Sequence, residues 1–256
     1  MTMPAEFVGA PIDSKRRLAL VPIAKRVRVV VNGQTVADTQ RARLLLEWRK
    51  RPAYYFPRED MRADRLEPGT QKNRAAGLGE ASYWTLTAGG RRFENALWSY
   101  ETPDPGIAGI KGLLAFDPAQ VEHWYEEDEE AFGHPRDPYH RVDVRASGRR
   151  VRVLFAGETI ASSERGLFVF ETGHPTRYYI PPQDVRFAFL QPSSTRTTCP
   201  YKGNASYWSL RVGSEAVADV AWSYQEPLPE IPRINGYLAF YPEKVAIEVA
   251  GEPSRG

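Results

Sequence analysis

The tetrapeptide Ala81-Ser82-Tyr83-Trp84 returns as Ala205-Ser206-Tyr207-Trp208, 124 positions downstream. The same spacing carries Arg26-Val27-Arg28-Val29 onto Arg150-Val151-Arg152-Val153, and Tyr54-Tyr55 onto Tyr178-Tyr179. It also carries Trp98-Ser99-Tyr100 onto Trp222-Ser223-Tyr224 and Leu114-Ala115-Phe116 onto Leu238-Ala239-Phe240. An ungapped match of this length, with about a third of positions identical, marks an internal duplication. Two units are too few and too long to stack as a solenoid, so the expectation is two domains packed against each other within the chain. The identities divide it into an N-terminal extension (1–25), a first repeat (26–121), a helix and linker (122–149), a second repeat (150–245) and a C-terminal tail (246–256).

Each repeat reads as strands. The alternating runs Val27, Val29, Val31 and Val151, Val153, Phe155 each end at a glycine, Gly33 or Gly157. Asn32-Gly33 is a strong two-residue hairpin signal, because both turn positions require positive φ. Short apolar runs at 44–46, 54–56, 83–86 and 96–100 are parted by Pro, Gly or charge clusters, which predicts a mostly β, antiparallel fold. One short helix is expected between the copies. Asp117 suits an N-cap, Pro118 the first helical position and Gln120 an approximate capping box, with Gly133 and Pro135 as stops. The acidic run 126–130 opposes it, since negative charge is unfavourable near a helix C-terminus. The corresponding segment after Pro242, Val245 to Val249, alternates and is β-branched, as a strand would be.

Composition narrows the function classes. A chain of 256 residues can bury two cores, and 42% hydrophobic with 26% charged residues is ordinary for a folded protein. Lys plus Arg number 34 against 32 Asp plus Glu, so no strong field draws a polyanion, and nucleic acid is not the default partner. Arg149, Arg150 and Arg152 form a basic run, but strand alternation divides it between two faces. A single cysteine, Cys199, excludes an intrachain disulfide and a four-cysteine zinc site, and it fits a reducing cytoplasm. No apolar leader is seen and no run approaches a membrane span, so a cytoplasmic protein is expected. No cofactor or metal is called for.

The asymmetry between the copies points to a site. Cys199, Lys202 and Asn204 stand where the first copy has Ala75, Leu78 and Glu80. A thiolate is the nucleophilic form of cysteine, and an ammonium three residues on would favour it. Cys199, Lys202 and His174 are therefore the candidate catalytic residues, with His174 as proton acceptor, and Tyr201 and Asn204 are candidate ligand contacts. The segment 134–143 has no counterpart before the first copy, and its His134, Arg136, Asp137, Tyr139 and His140 are further candidates for lining a pocket. Asp60 with Arg62, repeated as Asp184 with Arg186, reads as a structural pair. Trp84, Trp98, Trp208 and Trp222 read as core anchors.

The stretches 134–143 and 199–208, with Trp222-Ser223-Tyr224, resemble the domain-of-unknown-function 427 family. The resemblance covers nearly the whole chain as two tandem copies and implies a small β-tent-like domain. The family is usually found in bacteria and is sometimes placed under a nucleotidyltransferase-like heading. The Asp-x-Asp pair that would hold the metal ions of phosphoryl transfer is absent here, as are the paired Cys-x-x-Cys knuckles that hold zinc in many β-tent domains. The leading functional expectation is binding or modification of a small molecule at a single site in the second repeat around Cys199 and Lys202. The rivals are a non-catalytic structural or interaction module and, third, a nucleotide or nucleic-acid binder.

Overall fold

The structure, a computed structural model, describes residues 18–47, 50–61 and 66–254. The chain forms two compact units, Met1–Asp137 and Pro138–Gly256. Among the described residues each unit holds eleven strands, and the two sets correspond at the spacing of 124. In the first unit these are β1 (Leu18–Pro22), β2 (Val27–Val31), β3 (Gln34–Thr39), β4 (Arg43–Glu47), β5 (Ala53–Pro57), β6 (Leu66–Ala75), β7 (Gly79–Ala88), β8 (Arg91–Pro103), β9 (Leu113–Phe116), β10 (His123–Glu126) and β11 (Glu129–Ala131). In the second they are β12 (Val142–Ser147), β13 (Val151–Phe155), β14 (Glu158–Ser163), β15 (Gly166–Glu171), β16 (Arg177–Tyr179), β17 (Leu190–Cys199), β18 (Gly203–Val212), β19 (Glu215–Pro227), β20 (Leu238–Phe240), β21 (Ala246–Val249) and β22 (Glu252–Pro253).

The first unit has a seven-stranded sheet, β1-β4-β5-β9-β8-β7-β6, and a four-stranded sheet, β11-β10-β2-β3. The second repeats both orders, except that its large sheet narrows between β16 and β20 to one bridge, Ile180 to Leu238. Even the irregularities are duplicated. Register shifts fall at Val29/Val30 and Val153/Leu154, at Pro68/Lys72 and Pro192/Arg196, and at Trp84/Leu86 and Trp208/Leu210. Asn95 and Asp219 both hold positive φ, 53° and 50°, at the same place in β8 and β19.

Alternation along the strands fills both faces of the large sheet. In the first unit Leu44, Leu46 and Phe56 enter one core with Val27 and Val29, while Leu45 and Tyr55 enter a second with Leu78, Ala81 and Tyr100. In the second unit Phe168 joins Val151 and Val153, whereas Leu167, Val169 and Tyr179 join Tyr207, Trp222 and Tyr224. The candidate sites lie on this second face in both repeats. Of the four tryptophans expected as core anchors only Trp222 is buried, and Trp84, Trp98 and Trp208 are half-buried. Trp84 lies under the Arg58 guanidinium, 3.9 Å from its ring centre, and Trp98 opens onto a cavity.

Two sequence expectations change form. The Asp117 side chain does cap, accepting from the Ala119 amide at 3.0 Å, but the helix is a single 3-10 turn, Pro118–Gln120. The chain then becomes the β10–β11 hairpin, because β2 offers an edge that β10 pairs with, turning Trp124 onto the core. The acidic run is absorbed there by partners: Glu126 accepts from Lys25 and from the Tyr54 hydroxyl, Glu127 from the Arg26 amide and Asp128 from Arg28, while Glu130 bonds the His123 ring. Asp184 and Arg186 do not pair with each other. Asp184 takes a two-pronged contact from Arg165 and Arg186 reaches Glu158; Asp60 likewise pairs with Arg41, and Arg62 lies outside the described residues.

Candidate functional site

In the second repeat, β15 ends at Glu171 and the tight turn from β17 to β18 presents Cys199, Tyr201 and Lys202. The Lys202 amide donates to the Cys199 carbonyl at 3.3 Å, which closes the turn and sends the lysine side chain inward. Its ammonium pairs with Glu171, and both side chains are only 10% exposed. His140 Nε2 meets the other Glu171 oxygen at 3.1 Å, stacks on the Tyr201 ring at 4.1 Å and lies edge-on to His174 at 6.1 Å. Burial pushes the Glu171 carboxyl upward, but the charge and hydrogen bond of Lys202, aided by His140 and His174, hold it below the usual carboxylate range. Tyr179 and Tyr224 line the same region. Their phenols are pushed well up, first by burial and then by neighbours that include Glu171 and Cys199.

Five expected site residues thus gather in the second unit: Cys199, Tyr201, Lys202, His140 and His174. Cys199 itself is half-buried and packs against the Tyr179–Tyr224 core. Asn204 is not part of the group; it is exposed and accepts from the Thr198 hydroxyl at 2.7 Å. Tyr139 is 55% exposed. His134, Arg136 and Asp137 belong to the first unit, where His134 bonds the Pro135 carbonyl at 2.8 Å and the Arg136 charge acts on the Tyr54 phenol.

The first repeat carries a cavity of about 360 Å³ at the corresponding place. Leu45, Glu47, Tyr55, Tyr83, Trp98 and Tyr100 form its wall, with Arg51 and His134 also lining it. Trp98 Nε1 donates to the Tyr55 hydroxyl at 2.9 Å, as Trp222 does to Tyr179 at 3.1 Å in the second repeat. Burial, then the nearby charges of Glu47 and Tyr83, push the Tyr100 phenol up to about 12. Glu47 also receives the exposed Lys50 at 2.5 Å.

The repeats share Glu47/Glu171, Tyr55/Tyr179, Tyr83/Tyr207, Trp98/Trp222 and Tyr100/Tyr224, and differ in what surrounds them. Ala53, Ala75, Leu78 and Asp117 in the first become Arg177, Cys199, Lys202 and Tyr241 in the second. Tyr241 packs on Trp222 at 4.4 Å and Arg177 lies 5.7 Å over the same ring, whereas their first-repeat equivalents are too short to cover Trp98 in this way. Sequence reasoning missed both glutamates. Their signal was present: an identical acidic residue ending equivalent strands.

The DUF427 profile matches residues 19–127 and again 143–251. This chain belongs to the domain-of-unknown-function 427 family. It is a tandem two-copy member, and the matched spans take in β1 and β12, which the identities between the copies had left outside the repeats. No curated protein matches the chain. No described helix of this DUF427 protein is long and apolar enough to cross a membrane.

Proposed function

We propose that the protein binds a small organic molecule and that the ligand seat is the aromatic-walled cavity of the first repeat. The cavity carries this reading. Its volume of about 360 Å³ falls in the range of small-molecule sites, and its lining of apolar and aromatic surface with few polar groups is the usual composition of one. The single cysteine fits a reducing compartment, and we assign this role to the cytoplasm. The reading moves the ligand from the second repeat, where sequence asymmetry pointed, to the first. A fragment screen read by NMR should find saturable ligands that shift the Trp98 indole signal, and Ala75→Phe, which fills the cavity, should abolish them while Cys199→Ala does not. Ligands that survive Ala75→Phe unchanged would sink the proposal.

A second reading keeps chemistry in the second repeat. The convergence of His140, His174, Lys202 and Glu171 beside the strand that ends in Cys199 favours it. It requires Cys199 to react with iodoacetamide in the native protein. A thiol that is modified only after unfolding removes this reading.

A further inference from the structure

The second repeat shows what satisfies the carboxylate that both copies keep at this seat. Glu171, set among Tyr179, Tyr207 and Tyr224, is met by the primary ammonium of Lys202, delivered by the chain itself and buried to 10% exposure. In the first repeat the same glutamate, Glu47, stands among the same tyrosines, Tyr55, Tyr83 and Tyr100. Its counterpart of Lys202 is Leu78, a fully buried core residue that brings no charge. One copy buries a tethered ammonium against its glutamate; the other pairs its glutamate with the exposed Lys50 and opens a cavity beside it.

We infer that the first-repeat cavity takes an organic primary ammonium ion, with Glu47 as its counter-ion and aromatic rings around its carbon body. The inference rests on the ligand-binding reading above. Several features fit this charge. Aromatic faces are negative and attract cations, and a primary ammonium has three donors, enough for the carboxylate and for phenol oxygens together. Lys202 in the second repeat shows that the shared glutamate accepts a primary ammonium in these surroundings. Two cations bear on the site, one on Glu47 itself and one on the cavity wall. Lys50 pairs with it from outside with its own side chain 60% exposed, a contact of the kind that contributes little and yields readily. Arg51 lines the cavity and is the group that would instead recruit an acid, so the test must weigh it.

Three probes of one shape and different charge decide: phenethylammonium, phenethyl alcohol and phenylpropionate, titrated into the whole protein with the Trp98 indole followed by NMR. The expected order places the ammonium at least about tenfold tighter than the alcohol, with the carboxylate weakest, since a hydrogen bond to a charged group is worth more than a neutral one. Glu47→Gln should remove that advantage, bringing ammonium and alcohol to similar affinity. Leu78→Lys, which supplies the tether, should exclude the ammonium and leave the second repeat's Trp222 signal unmoved. If Leu78→Lys does not fold, Glu47→Gln and the probe order still decide. Equal or tighter binding of the alcohol or the carboxylate, or an ammonium affinity indifferent to Glu47→Gln, overturns the inference while the cavity remains a binding site. If no probe of any charge perturbs Trp98, both the inference and the binding reading fall.

Discussion

At the scale of single residues, the most consequential group is the Lys202–Glu171 ion pair, because each partner makes the burial of the other tolerable. Removing one side of such a pair leaves an uncompensated charge in the interior, at a cost of about 3–5 kcal/mol. Lys202→Met should therefore destabilise the second repeat by that order, and Lys202→Met combined with Glu171→Leu should recover much of the loss. The pH dependence has a definite sign. The Glu171 carboxyl sits below its ordinary range in the native state, so its contribution is complete above the free carboxylate pKa of about 4.3 and is lost as pH falls through the lower native value. With the ammonium gone, burial dominates and raises that pKa, so Lys202→Met should regain stability on acidification. Urea denaturation at pH 7 and pH 4 checks this, and a deficit of equal size at both would mean that Glu171 is not the group left stranded. Differences between the copies mark Lys202 but not its partner, because Glu171 is identical in both.

At the scale of elements, hairpins were legible and the inter-repeat segment was not, for the same reason of locality. A two-residue turn is decided by its own two residues. Asn32 and Gly33 adopt φ of 49° and 69°, joining β2 to β3, and Asn32 Nδ2 adds a bond to the Ala88 carbonyl at 3.1 Å. The second repeat forms the same turn with Ala156 at φ 48°, a conformation that alanine adopts only with strain. Ala156→Asn should accordingly raise stability by about 0.5–1 kcal/mol, seen as a higher midpoint of the second repeat in thermal denaturation. A lower midpoint would show that Ala156 is held by something other than the turn. The signals at Asp117 and Pro118 were equally local and equally real, but they specify one turn only. The path of the chain beyond Gln120 is settled by the free edge of β2, a tertiary feature that no window of sequence contains. The cavity was illegible for a related reason: its wall is drawn mainly from β4, β5, β6, β7 and β8, and its emptiness depends on small residues such as Ala53 and Ala75 that carry no signal of their own.

At the scale of the whole molecule, the duplication implies that each repeat is a complete solution to folding. Each unit has a four-stranded sheet and a larger one, which in the second unit is two parts joined by a single bridge, with an apolar cluster on either face of the larger. Among the described residues no buried cluster mixes residues from both units. Each is also of ordinary domain size, roughly 100–150 residues, and so exceeds the length at which small chains need staples. The boundary falls between Asp137 and Pro138, and no strand crosses it. Residues 138–254 produced alone should therefore fold, giving a dispersed NMR spectrum and one cooperative urea transition, with the Lys202–Glu171 pair intact. The buried Trp222 indole, donating to the Tyr179 hydroxyl, supplies a resonance specific to this unit, and its shift in the fragment should match that in the full chain. A fragment that is unfolded, or whose Trp222 signal moves to the random-coil position, would show that the second repeat needs the first to hold its core. That outcome would make the duplication a source of mutual support rather than of two independent domains.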